Sequence, residues 1–332
     1  MPSFPSSLTY TFELTSSQFF FINQILFIVN NYCILVISLK EKGAFMKKTL
    51  FVIKTLLLAF LLLSLASIPG GFVMGYSSTS NPGTSTDTPV FLTITLIGEI
   101  IVPIYLFIYY RAKNNLDALD IVMPFKKDKI AQKFGIGYLI GFLAFAIIFA
   151  IAVFGGGFTT KIVWSSKNIV LFVLMLIGFL IQGTTEEIVC RGYVQGRITE
   201  KLGVFWAITL SALFFASGHL GNAGVSLEGF VGLLAFGILT ALLRFYTGDL
   251  WLCGALHGAW NFAEGPFFGT PVSGISGTEL LFKSTSVPHH PWLNGGAFGI
   301  EASLTCIIVL ILLSFLTVYL GQKYSDNKLD LN

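Results

Sequence analysis

Charge is what this sequence lacks. Only 11% of its 332 residues are Asp, Glu, Lys or Arg, while 54% are hydrophobic and the mean hydropathy is +0.79. Soluble globular domains carry about 25% charged residues. A chain of this length with less than half that share cannot cover itself for water, which argues against a soluble enzyme, a disordered chain and a nucleic-acid binder. Cysteine is scarce as well. Cys33, Cys190, Cys253 and Cys306 stand singly in apolar runs, with no Cys-x-x-Cys. That argues against a secreted disulfide scaffold and suits free thiols in membrane helices. Two catalytic signatures are missing: the Gly-x-Ser-x-Gly of serine hydrolases and the His-Glu-x-x-His of zincins. No repeat of solenoid period or of half the chain length is visible.

What is present is a succession of apolar runs. A bilayer core of about 30 Å needs about 20 apolar residues per helix. Starting from Met46, such runs lie near 49–68, 89–110, 134–154, 169–190, 204–220, 229–246, 250–268 and 301–320. The expected fold is an all-α, polytopic transmembrane helix bundle of about eight spans. Polar or Gly/Pro/Ser-rich stretches such as Tyr76–Thr88 and Lys161–Lys167 separate the runs. With the N-terminus inside, fifteen Lys and Arg fall on the inner side, against Lys161, Lys167 and Lys283 outside. By the positive-inside rule both termini are cytoplasmic. Residues 1–45 are expected to be a gene-model extension ahead of a start at Met46, because Met46-Lys47-Lys48-Thr49 opens an apolar run. The alternative is a ninth helix. The organisation read from this pattern is 1–45, then N-terminal helices over 46–160, a core over 161–270, and an outer loop with the last helix over 271–332.

The few charges inside apolar runs are functional candidates by default, because ionisable groups are expensive there. They concentrate in Glu186, Glu187 and Arg191, then His219, then His257 with Asn261, and Glu264 beyond. Glu187 and Arg191 are four apart and share a helix face, which suits a buried carboxylate–guanidinium pair. Glu186 points about 100° away and is the freer carboxylate, suited to act as a general base. The plain alternative for this segment is a solvated helix end. His257 and Asn261, also four apart, address one small volume. These parts could activate water and hold an oxyanion, or form a Glu/His/His metal site with an open position. An interhelical hydrogen-bond pair needs no chemistry at all.

Taken in order, Glu-Glu-x-x-x-Arg, Phe-x-x-x-His and His-x-x-x-Asn resemble the CPBP family (CAAX protease and bacteriocin-processing, also called Abi) of intramembrane endopeptidases. The matching core covers roughly residues 165–265, in spans four to seven. The stretches Phe268–Gly274 and Gly295–Glu301 resemble a bacterial subgroup of the same family. The resemblance implies that Glu186 and His219 activate the attacking water, that His257 and Asn261 steady the oxyanion, and that Arg191, paired with Glu187, is structural. It leaves the cofactor open between none and one divalent metal ion, zinc before others, with Glu186, His219 and His257 as the ligands. It also implies a multi-pass protein of the bacterial cytoplasmic membrane and a membrane-associated peptide or protein substrate, of CAAX or bacteriocin type, with no nucleic acid. Cys190 departs from the aromatic or aliphatic residue usual before the Arg. The rival readings are a proton-coupled transporter and a catalytically silent scaffold or bacteriocin-immunity protein. For Glu186 and His219 to meet, the fourth helix must continue past Arg191 toward Thr199, or the fifth must be tilted or short.

Overall fold

The computed structural model describes residues 42–68, 88–125, 129–326 and 329. Residues 1–41, most of the 76–88 loop, Lys126, Lys127, Lys328 and Cys33 lie outside that set, so the reading of 1–45 meets it only at the start of the first helix. The chain divides into two units. One is Met1–Phe51 with Leu329–Asn332, and the other is Val52–Lys328.

Helices dominate. They are α1 (Lys42–Ala66), α2 (Thr88–Gly98), α3 (Ile101–Ala112), α4 (Leu116–Val122), α5 (Ile130–Phe154), α6 (Ile169–Glu187), α7 (Gly196–Leu202), α8 (Val204–Gly218), α9 (Leu227–Thr247), α10 (Leu250–Phe262), α11 (Pro291–Asn294) and α12 (Leu304–Tyr324). Among the described residues, six helical stretches are long and apolar enough to cross a membrane: Met46–Ala66, Pro89–Ala112, Ile130–Phe154, Ser166–Leu202, Leu227–Thr247 and Leu304–Tyr324. The protein is therefore a multi-pass membrane helix bundle. Two of the eight expected spans fall short. Helix α8 has 15 residues, about 22 Å at 1.5 Å per residue, less than the hydrocarbon thickness. Helix α10 has 13 residues before a π-turn over Ala263–Phe267 that contains Pro266. Among the described residues the count is six helices long enough to span, with α8 a shorter apolar helix and α10 shorter still before its π-turn. The all-α expectation also needs correction. Strands β1 (Phe158–Ile162) and β2 (Phe282–Ser286) pair antiparallel, with Thr160 opposite Ser284 and Lys161 opposite Lys283. Their polar, β-branched alternation is too far apart in sequence to read as a pair.

The fourth span continues well past Arg191. Helix α6 passes into a π-helix over Ile188–Gln195 and then into α7, without a break from Ser166 to Leu202. Its first half faces outward with Ile169, Val170 and Val173 exposed, the stretch from Glu187 to Gln195 is buried, and Thr199, Glu200 and Lys201 at its end are exposed. Helix α12 similarly presents Leu304, Ile308, Leu312 and Phe315 to its surroundings. Exposed large apolar side chains in a spanning helix are the face toward lipid.

Helix α10 lies at the centre, with nearly every residue buried. Small residues let its neighbours reach it. On one side, a Cβ at Gly137 or Gly141 of α5 would strike the backbone of Leu252 or Leu256. On the other, a Cβ at Gly183 of α6 would strike the backbone of Gly258. Without a hydrophobic drive between helices in lipid, such close approach is what membrane packing depends on. Asp249 fixes the start of α10. Its Oδ1 accepts from the Leu252 N–H at 3.0 Å and its Oδ2 meets Lys133 Nζ at 3.0 Å.

Candidate functional site

The α6–α10 crossing brings the last turn of α6 against the middle of α10. Glu187 is fully buried and its Oε1 meets two partners, Arg191 Nη1 at 3.0 Å and His257 Nδ1 at 3.1 Å. An ionised carboxylate only accepts, so Nδ1 of His257 carries the proton there. Nε2 is then the nitrogen left to face the site. Arg191 donates from Nη2 to the Gly237 carbonyl at 3.0 Å, and its guanidinium lies 4.8 Å from the Phe215 ring centroid. This half is closed, with two opposite charges and an imidazole locked together.

The adjacent carboxylate is held differently. The Glu186 side chain keeps 18% of its exposure, whereas Glu187 keeps none. Gln182, one turn earlier, donates from Nε2 to Glu186 Oε1 at 2.6 Å. The other oxygen, Oε2, lies 3.8 Å from His257 Nε2 and accepts no hydrogen bond among the described residues. Asn261 donates from Nδ2 to Gln182 Oε1 at 3.0 Å. Glu186, His257 and Asn261 are thus gathered around one small volume.

His219 ends α8. It donates from Nδ1 to the Phe215 carbonyl at 3.0 Å, because a carbonyl only accepts. Its ring lies 4.9 Å from that of Phe215, which in turn lies 5.5 Å from His257. The structure therefore places His219 beside Phe215, and the atom facing Glu186 is the Nε2 of His257. The Phe-x-x-x-His spacing has a physical reason. Four residues apart on one helix, Phe215 and His219 share a face, and Phe215 is the wedge that Arg191, His219 and His257 all touch.

Glu186, His219 and His257 do not converge as a ligand set. Among the described residues no group of three His, Cys, Asp or Glu side chains is placed to hold a metal ion. Cys190, Cys253 and Cys306 are buried free thiols.

Two carboxylates near the site escape the reading of charges in apolar runs. Glu99 sits where α2 passes into α3, inside the Pro89–Ala112 span. Its carbonyl accepts from the Thr185 hydroxyl at 3.4 Å and its carboxyl lies within electrostatic reach of Glu186. The signal was available, since Glu99 is an ionisable residue in the middle of the 89–110 run. Glu301 precedes α12 in a turn over Ile300–Ala302, and the Ser273 hydroxyl donates to its Oε2 at 2.5 Å. Burial pushes the Glu301 carboxyl up, opposed by the Ser273 hydroxyl and by the fields of His219 and His257. The outer loop is folded down in the same place. Gly274 N–H donates to the Phe298 carbonyl at 2.7 Å, and Asn222, just past His219, donates to the Ser273 carbonyl at 2.8 Å. A cavity of about 690 Å³ opens on the other side of α6. It is almost entirely apolar, is lined by Ile104, Phe107, Leu180 and Trp251, and reaches Thr184 and Thr185 immediately before Glu186.

The comparison with family models covers these elements. Residues 168–263 match the family model described as type II CAAX prenyl endopeptidase Rce1-like. This segment is an Rce1-like domain. It runs from the start of α6 to the first residue after α10 and contains Gln182, Glu186, Glu187, Arg191, His219, His257 and Asn261. Glu99, Glu264 and Glu301 lie outside the Rce1-like domain. No curated protein and no solved structure matches the chain. The residues gathered at the α6–α10 crossing thus lie within the segment that matches the Rce1-like family model.

Proposed function

We propose that the chain is an intramembrane endopeptidase that hydrolyses a peptide bond of a membrane-associated peptide or protein through a water activated by Glu186. The observation that carries this reading is Glu186 Oε2, free of hydrogen bonds among the described residues and 3.8 Å from His257 Nε2, with Asn261 tied to the same carboxylate through Gln182. A general base needs hydrogen-bond reach to the proton it takes, directly or through one water. The attacking water gives its proton to Glu186 Oε2 as its oxygen bonds to the carbonyl carbon. Negative charge then develops on the carbonyl oxygen, where donors from Asn261 and from His257 Nε2 would hold it. Donation from Nε2 requires the doubly protonated ring, and carboxylates flank that ring at both nitrogens. When the tetrahedral intermediate collapses, the C–N bond breaks and the amine leaves with the proton that Glu186 took. His219 is assigned to water activation with Glu186, as the family resemblance implies, its Nε2 being the ring nitrogen not spent on Phe215. The apolar cavity beside Thr184 and Thr185 suits an apolar part of the substrate.

The substrate class proposed is a CAAX-type or bacteriocin-type membrane peptide. The location proposed is the bacterial cytoplasmic membrane, with both termini on the cytoplasmic side. Purified protein in liposomes is to be given an internally quenched prenylated CAAX peptide and a mixture of unmodified transmembrane peptides, with products read by mass spectrometry. Cleavage by wild type that is lost in both Glu186→Ala and His219→Ala supports the reading. Cleavage retained in Glu186→Ala overturns it.

A further inference from the structure

We propose that Gln182 is a positioning residue of this site, orienting the Glu186 carboxylate and the Asn261 amide toward one point. The proposal rests on the peptidase reading. Gln182 lies one helical turn before Glu186, so the two share a face of α6. Both ends of its amide are in use. Nε2 donates to Glu186 Oε1 at 2.6 Å and Oε1 accepts from Asn261 Nδ2 at 3.0 Å. The orientation follows from the partners, since the flipped amide would set a carbonyl oxygen against a carboxylate and an N–H against an N–H.

Two consequences follow for the reacting groups. Glu186 Oε1 is tied down, so Oε2 is the oxygen that faces His257 Nε2 at 3.8 Å. Asn261 has one N–H held by Gln182, which fixes its plane and leaves the second N–H for an oxyanion. Gln182 therefore links the base on α6 to the oxyanion donor on α10 without facing the reacting bond itself. In a low-dielectric site such a chain of hydrogen bonds is strengthened along its length. A purely structural duty, tying α6 to α10, is already discharged by the backbone contact of Gly183 with Gly258. The residue is also unusual for its setting. It is a neutral polar side chain, 9% exposed, in the last turns of an apolar helix, and its partners are the two groups the chemistry needs.

The test uses the full chain in liposomes with the prenylated CAAX peptide and the transmembrane-peptide mixture. Gln182→Met keeps the side-chain length and removes both hydrogen bonds. Gln182→Glu keeps the acceptor toward Asn261 and removes the donor toward Glu186. Gln182→Met is expected to lower kcat by about 10- to 100-fold, the loss of a hydrogen bond to a charged group. KM should stay within about twofold, because the residue does not bind substrate. Thermal unfolding should stay close to that of wild type. The Gln182→Met change should cost less in the Asn261→Ala background than in wild type, since part of its effect runs through Asn261 while the tie to Glu186 remains to be lost. Wild-type kcat in Gln182→Met overturns the proposal, as does a double variant whose losses multiply. If Gln182→Met fails to fold, Gln182→Glu decides, and wild-type kcat in that variant overturns it. Should wild type cleave none of the probes, the peptidase reading falls and this proposal with it. Should wild type and Gln182→Met cleave alike, only the proposal falls.

Discussion

Glu186 and Glu187 are neighbours in the chain and opposites in their surroundings. Glu187 looks into the bundle, where Arg191 and His257 consume its Oε1 and exclude solvent. Glu186 looks into the site, keeps part of its exposure, and has one oxygen held by Gln182 and one free of hydrogen bonds among the described residues. A turn of about 100° per residue separates them. One helix thus supplies, from consecutive positions, a buried and ion-paired carboxylate and a partly open one, the one we propose as the base. The general lesson is that a charge in a membrane protein is read by its partners and not by its depth.

That contrast can be broken from either side. The largest effect is expected on the open side. Glu186→Gln should reduce cleavage by about 10²- to 10⁴-fold while the thermal unfolding midpoint stays near that of wild type, measured in the same detergent. A large loss of stability would move the structural duty from Glu187 to Glu186. On the closed side, Arg191→Met leaves the Glu187 carboxylate buried without its guanidinium, which costs about 3–5 kcal/mol. Denaturant or thermal unfolding should show that loss. A neutral result would mean that His257 alone suffices for Glu187.

The two sides meet at the helix crossing, so a substitution there should affect both. A Cβ at Gly258 would lie 2.6 Å from Leu180 Cα and from the Phe179 carbonyl. Gly258→Val should cost about 1–3 kcal/mol of stability by overpacking. It should also slow cleavage, because His257 and Asn261 flank the crossing. Lost stability with full cleavage would show that the reacting groups tolerate displacement of α10. The smallest effect concerns Glu301. Burial raises this carboxyl, so the folded chain holds that proton more tightly than the unfolded one. The stability it contributes is present at acid pH and lost as pH rises through the folded value. Glu301→Gln should flatten the fall of the unfolding midpoint as pH rises through that value. An unchanged profile would remove Glu301 as its source.

Helix order, the lipid-facing spans and the motif residues of the α6–α10 crossing are legible in the sequence because each leaves a local mark. Apolar runs mark the spans, and a spacing of four marks a shared face. Glu187 and Arg191 are spaced to meet, and they do so at 3.0 Å. Other features leave no such mark. The eight apolar runs do not reveal that α8 stops at 15 residues, nor that a π-turn closes α10. The β1–β2 pairing joins segments more than a hundred residues apart. Gln182 looks like any polar residue in a helix until Glu186 and Asn261 are placed around it.

By itself the sequence determined that this chain lives in a membrane, since too few charges remain to face water. It also determined where its chemistry should be sought, since so few ionisable groups sit inside apolar runs. Only the tertiary structure decided which of those groups face one another. His257 Nε2 faces Glu186, His219 lies against Phe215, and Gln182 spans the gap to Asn261. The physical reason is one of range. Composition and periodicity act along the chain within a few residues. Contacts such as that between Glu187 and His257, 70 positions apart, depend on how closely helices approach, and small side chains on opposite faces of a crossing control that approach only once both helices are in place.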